Sequence, residues 1–456
     1  MKNKAGESSM KNSVKKLIGR RSFLRSTAGV LAGGFWADET LDAALQYTRT
    51  ASKPSDLRIT DLRIAQLPGR PLIRIDTNQG ISGLGEVRDG GSKTYALMLK
   101  SRVLGENPCD IDRIFRKIKQ FGFHARQGGG VSGIEMALWD IAGKAYGVPV
   151  YQMLGGKFRD KIRIYADTPQ SPDPKVFGQR LKTRIEEGFT FLKMDVGIGL
   201  FAKLPGVLTA PLGTPLSAYN RTQHMFTGVE LTDRGIGAMA DYIAKVREVV
   251  GMEIPIATDH FGPIGVNSCI RLGKAFEKFN LAWMEDFIPW EHTELWKKIT
   301  DAIDVPTLTG EDIYLKGPFE VLCRNHAVDI IQPDIATAGG ILETHKIGDM
   351  AMEYGVAMAM HLGGSPIACM ASVHCAAATE NFLVLENHFV DQPAWGDIVD
   401  GIEKPIINRG FIKVPEGPGL GITLNEEAVK KQLAEPGYFE PTPQWDKERS
   451  WDRLWS

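Results

Sequence analysis

From residue 57 onward, apolar and polar positions alternate with the period of two that paired strands require. Segments 58–64 and 72–77 keep that period, and the turn Asn78-Gln79-Gly80 leads into a third run, 81–87. Between Ile111 and Tyr146 the apolar spacing becomes helical. Met136, Leu138, Trp139, Ile141 and Ala142 share a face there, and Gly147-Val148-Pro149 stops the run. Strands followed by one long helical stretch predict an α+β unit over residues 56–160.

Near residue 162 the texture changes. Short apolar segments at 189–196, 254–260, 281–287, 305–311, 328–334, 356–361 and 382–386 alternate with helical ones. Nearly every segment ends on a charged residue, and Asp259, Glu285, Glu311, Asp334, His361 and Glu386 recur about every 25 residues, close to the length of one βα unit. This pattern predicts an α/β fold, a modified TIM (β/α) barrel over 161–389, with its site at the carboxyl ends of the strands. An open doubly wound sheet would gather its polar residues at one switch point instead. The α+β unit becomes a capping domain, completed by 390–456. A Pro/Gly/Thr-rich insertion, 197–234, follows a strand end and so overhangs the barrel mouth; a lid and an irregular surface loop are both open readings.

The N-terminus has a different character. Lys15, Lys16, Arg20 and Arg21 precede a weakly apolar run, 26–37. A basic region ahead of a short apolar one is the order of an export signal, and Gly-Arg-Arg-Ser-Phe-Leu-Arg resembles the twin-arginine type. Residues 1–37 are therefore expected to be a signal and 38–55 a linker, with the mature chain soluble and either periplasmic or otherwise exported. Elsewhere no apolar stretch is long enough to span a membrane. With a net charge of −1 and no basic stripe, nothing points to nucleic acid. The 5 cysteines are scattered, without a C-x-x-C pair, so neither a disulfide framework nor a zinc site is indicated.

Asp259, Glu285 and Glu311 end three consecutive predicted strands. Carboxylates brought together this way suit a hard divalent cation such as Mg²⁺, one per chain, with Mn²⁺ as the alternative ion. Asp334 and His361 end the next two, and a carboxylate-held histidine makes a base. Lys193 and Asp195 are two apart and point to one side of their strand, as are Glu386 and His388. Glu386 could hydrogen-bond a developing enolate oxygen or a substrate hydroxyl. His260 directly follows Asp259; a strand that continues turns it outward, and one that has ended lets it enter the site.

These residues resemble the mandelate racemase/muconate-lactonizing branch of the enolase superfamily, across roughly residues 57–430. Val131-Ser132-Gly133-Ile134-Glu135-Met136-Ala137-Leu138-Trp139-Asp140-Ile141 is similar to that branch's cap-to-barrel segment, and Gln332-Pro333-Asp334 to its Asp-His dyad segment. The resemblance implies Asp259, Glu285 and Glu311 as metal ligands, Asp334 and His361 as the dyad, and Glu386 as an electrophilic residue. The cap, with Gln66-Leu67-Pro68-Gly69-Arg70-Pro71, looks most like the galactonate-dehydratase type. Two departures matter. The branch's Lys-x-Lys is here Lys193-x-Asp195, which argues against a two-base racemase. The histidine expected two places after the first ligand is replaced by Phe261, with His260 one place early. Candidates for the leaving-group acid are therefore His260, Asp195 and Lys193.

The expected activity is Mg²⁺-dependent removal of the proton α to the carboxylate of a sugar acid, followed by loss of the β-hydroxyl. Epimerisation or cycloisomerisation through the same enolate is the alternative. A metal-dependent sugar-acid binding protein without turnover is the reading of another class. A small-molecule sugar acid is the expected partner, and a homo-oligomer the expected assembly.

Overall fold

The alternation near the start of the folded chain becomes a three-stranded antiparallel meander of β1 (Ile59–Leu67), β2 (Arg70–Thr77) and β3 (Ser82–Glu86). A computed structural model describes residues 54–123, 125–209, 229–262 and 264–448. The predicted signal, nearly all of the linker and the middle of the 197–234 insertion lie outside the described residues.

The meander lies directly on the helix Gly128–Tyr146. Two glycines of β3 make the approach possible. A Cβ on Gly83 would stand 2.1 Å from the Ala137 carbonyl oxygen, and one on Gly85 1.9 Å from that of Gly133. The helix was expected to bury one face, yet nearly all of it is buried. It is sandwiched between the meander and the barrel, so the apolar stripe that sequence periodicity detects is only half of its contact surface. Glu135 shows the barrel side: its carboxylate accepts from the amides of Ile341 (2.6 Å) and Leu342 (3.0 Å), capping the helix Ile341–Glu353.

The later strands are β4 (Lys161–Ala166), β5 (Leu192–Asp195), a short antiparallel ribbon of β6 (Leu208–Thr209) and β7 (Glu230–Leu231), then β8 (Ile256–Asp259), β9 (Trp283–Glu285), β10 (Thr307–Thr309), β11 (Ile330–Ile331), β12 (Ala357–Met360) and β13 (Phe382–Asn387). The order β4-β5-β8-β9-β10-β11-β12-β13 is parallel throughout, and β13 pairs back onto β4, closing an eight-stranded barrel. Sequence reading marked seven of these strands and passed over β4. The first half of β4 pairs antiparallel with Phe411–Lys413 and only its second half with β13, so it lacks the continuous apolar signature of its neighbours. Helices follow the first seven barrel strands; after β13 the chain runs back toward the cap. There Ala434 donates to the Gln66 carbonyl (2.8 Å) and Arg63 to that of Phe439 (3.3 Å). Among the described residues, no helix is long and apolar enough to cross a membrane.

Candidate active site

The floor of the site is an apolar plug inside the barrel, formed by Tyr165, Phe191, Ala257, Trp283, Leu308, Ile330, Ala359 and Val384. The rings of Phe191 and Trp283 are 4.9 Å apart and that of Tyr165 meets Trp283 edge-on. Side chains two apart on a strand share a face. Lys193 therefore stands above Phe191, Asp259 above Ala257, Glu285 above Trp283, His361 above Ala359 and Glu386 above Val384. On β10 the count runs from Leu308 to Gly310, not to Glu311. Gly310 has φ +147°, and a Cβ there would meet Phe319 at 2.8 Å. That irregular step lets the following Glu311 turn inward.

Asp334 and His361 meet as the sequence suggested. His361 Nδ1 is 2.6 Å from Asp334 Oδ2, and Asp334 Oδ1 accepts from the Ala336 amide at 2.7 Å. This fixes the ring and leaves Nε2 directed to the site, 3.2 Å from Glu311 Oε2. A third member comes from the cap. Arg88, just beyond β3 and 1% exposed, places Nη1 2.5 Å from Asp334 Oδ2 and 2.7 Å from His361 Nδ1, and Nη2 3.3 Å from Glu311 Oε1. Burial pushes the Asp334 carboxyl up, but Arg88 and His361 outweigh it and hold its pKa below the usual range. Nothing local in Gly85-Glu86-Val87-Arg88 marks the arginine for this role, since the contact spans the two halves of the chain.

Lys193 is buried at the centre. Its Nζ is 2.7 Å from Asp259 Oδ2, 2.7 Å from Glu386 Oε1 and 3.7 Å from Glu285 Oε1. Burial alone pushes the ammonium down, but these three carboxylates outweigh it and hold the pKa well above the ordinary value. Asp195, next on the same face, has an Oδ1 that is buried without a hydrogen-bond partner. Its pKa is pushed up to about 6, first by burial. β8 ends at Asp259, and His260 adopts φ +59°, so the ring turns back toward the mouth with Nε2 3.6 Å from Asp259 Oδ2. His260 thus stands beside Asp259 and Asp195, with its side chain 67% exposed. Phe261 is buried against Phe287.

The carboxylates suit a divalent cation. Glu285 Oε1 is buried with no hydrogen-bond partner, and burial together with Asp259 pushes its pKa well above the carboxylate range. Such crowded negative charge is what a hard cation relieves, and the donors are all oxygens. Glu285, Glu311 and Asp286 can bring ligand atoms within 4.8 Å of one another, while Asp259 does so with Asp195 and His260. Asp286 was not foreseen; it has φ +48°, and Thr309 donates to its Oδ1 at 2.6 Å.

Glu386 lies beneath the surface of the site, fully buried. Lys193 and Tyr165 (2.9 Å) donate to it, and His388 Nε2 is 3.1 Å from its Oε1. Burial pushes it up, but Lys193 and His388 outweigh that and keep it ionised, with a pKa well below the usual range. Two cations already balance it, so the nearby group of His361, Glu386 and His388 has no call for a metal. Just beyond β13 comes His388, 31% exposed, which the two-residue spacing from Glu386 signals in the sequence.

The Mandelate racemase / muconate lactonizing enzyme N-terminal domain matches residues 46–155, and the Enolase C-terminal domain-like family matches residues 177–428. The chain is 34% identical to a D-xylonate dehydratase of Haloferax volcanii over 87% of this chain and 93% of that one. It is 30% identical to a D-galactonate dehydratase of Pectobacterium atrosepticum over 82% and 94%. Among solved structures, a mandelate racemase/muconate lactonizing enzyme-like protein from Rubrobacter xylanophilus superposes with a TM-score of 0.74 at 31% identity, covering 84% of this chain and 99% of that one. A closed parallel barrel, a strand-rich cap and both family matches lead to one conclusion: this chain is an enzyme of the mandelate racemase/muconate lactonizing enzyme family of the enolase superfamily.

Proposed function

We propose that this enzyme is a Mg²⁺-dependent sugar-acid dehydratase, a hydro-lyase that turns an aldonic acid into a 2-keto-3-deoxy acid. The observation that carries the reading is His361, fixed by Asp334 with its Nε2 turned to the carboxylate cluster of Glu285 and Glu311. Relatives named for D-xylonate and D-galactonate support an aldonic acid as the substrate class.

Asp259, Glu285 and Glu311 would hold the ion, with Asp286 beside them. When bound, Mg²⁺ would supply Lewis-acid stabilisation of the charge that builds on the substrate carboxylate. His361 Nε2 takes the proton from the α-carbon, and Asp334 stabilises the imidazolium that forms. Lys193 stays charged and presents a fixed positive group beside the developing oxyanion, in a site that the plug keeps dry from below. The β-hydroxyl then leaves as water with a proton from an acid of the site, the sequence candidates being His260, Asp195 and Lys193.

The test is a panel of aldonic and uronic acids with purified protein and Mg²⁺, reading 2-keto product, with His361→Asn as control. Product from one acid, lost in the variant, is the expected result. Exchange of the α-proton with solvent while the acid is otherwise recovered unchanged, or as its epimer, would replace dehydration with isomerisation. A bound acid that never exchanges would make the protein a binder. The basic leader with Arg20-Arg21 supports export to the periplasm, tested by cell fractionation of the full chain. Symmetric self-assembly, tested by light scattering, completes the reading.

A further inference from the structure

We infer that His388 is the general acid that protonates the departing β-hydroxyl. This inference rests on the dehydratase reading above.

Three observations point to it. The first is position. The His361 and His388 rings are 5.3 Å apart between centroids, set edge to face on adjacent strand ends. A base and an acid at that separation can address neighbouring carbons of one substrate, the α-proton and the β-oxygen. The second is charge. His388 Nε2 lies 3.1 Å from Glu386 Oε1, and its Nδ1 faces Asp167 Oδ2 across 3.9 Å. Lys193 and His361 are the other titratable groups around it. Burial pushes the imidazole down, but Glu386 outweighs it and the pKa rises to about 9, so the ring is cationic at neutral pH. The third is a spare proton. Nδ1 has no hydrogen bond, 3.9 Å to Asp167 being too long for one, and Nε2, although within ion-pair reach of Glu386, is buried without a hydrogen-bond partner. The side chain is 31% exposed, open to a ligand in the mouth.

The earlier candidates fit less well. Lys193 is 2% exposed and held between two carboxylates at 2.7 Å, which makes its proton hard to release. Asp195 lies beside Asp259, a proposed ligand, and its Oδ1 is buried without a hydrogen-bond partner. His260 is 67% exposed and turned to Asp259, a proposed ligand.

In the step itself, His361 has already taken the α-proton. The Cβ–O bond breaks and its electron pair goes to oxygen, which receives the His388 proton and leaves as water. The pair from the former Cα–H bond becomes the Cα=Cβ double bond. The enol then gains a proton at Cβ and loses one from oxygen, giving the 2-keto-3-deoxy acid. Solvent returns a proton to His388 and takes one from His361, restoring both rings.

The experiment compares wild type with His388→Gln, in D₂O with Mg²⁺, on the dehydrated acid and on its 3-deoxy-3-fluoro analogue. Fluoride leaves without protonation, so the acid is dispensable for the analogue. The expected result is dehydration slowed about 100-fold or more, with α-proton exchange persisting and fluoride released within about threefold of wild type. Equal loss on both substrates would make His388 structural and overturn the role, as would undiminished dehydration in the variant. A wild type that exchanges the α-proton but eliminates neither group would instead sink the dehydratase reading, and this role with it.

Discussion

Arg88 of the cap and Asp334 of the barrel share a buried contact of 2.5 Å, although 246 residues separate them in the chain. The arginine thereby ties the carboxylate that orients His361 to a different structural unit. Cap and barrel are coupled at the Asp334–His361 pair itself.

Replacing Arg88 should therefore cost both stability and turnover. Arg88→Ala leaves Asp334 as a buried charge with one donor fewer, and loss of one partner from such a pair costs about 3 kcal/mol or more. Arg88→Lys should recover part of the stability but little of kcat, because an ammonium cannot span Asp334 and Glu311 as the planar fork does. Urea unfolding and steady-state kinetics separate the two effects. Full activity in Arg88→Lys would reduce the arginine to a point charge.

Lys193 competes with any cation for Asp259 Oδ2. Lys193→Met should bind Mg²⁺ more tightly than wild type in calorimetry, while α-proton exchange falls by at least about 100-fold for want of the fixed charge. Weaker Mg²⁺ binding in the variant would show that Lys193 orders the site rather than competing in it.

Glu285 carries the unpartnered buried oxygen that fits a cation. A ligand at about 100 times its Kd stabilises the native state by about 2.7 kcal/mol, so Mg²⁺ should raise the wild-type melting temperature and a chelator should reverse it. Glu285→Gln should show neither response. An unchanged Mg²⁺ shift in that variant would move the ion away from this cluster.

A pH effect on stability follows from His374, buried on the helix Pro366–Ala378 and stacked with Tyr151 at 5.8 Å. Burial pushes its pKa down to about 4 from the ordinary 6.5. Between these values the unfolded chain binds the extra proton, so stability rises with pH through that window and falls as pH drops from 6.5 toward 4. The full change is about 3 kcal/mol. Chemical denaturation of wild type and His374→Gln at pH 4.5 and 7 reads it; the variant should lose most of this dependence, and parallel curves would place the acid sensitivity elsewhere.

Much of this protein was legible before any coordinates. Strand-end acids at βα spacing announce a barrel because each unit needs a similar length of chain and each inward position two residues above the plug faces the mouth. That local rule is enough to gather Lys193, Asp259, Glu285, Asp334, His361 and Glu386. Where it fails, the reason is tertiary. The Gly310 step that turns Glu311 inward depends on a backbone squeezed against Phe319 and Gln332. The direction of His260 depends on where β8 stops pairing, and β4 was hidden by sharing its edges between two partners. Arg88 and the charge on His388 arise from groups distant in sequence, through burial and Coulomb fields that no periodicity encodes. Sequence by itself determined which side chains can reach the mouth, because pleat geometry is local. Only the tertiary structure decided which of them hold protons, because that depends on what surrounds them.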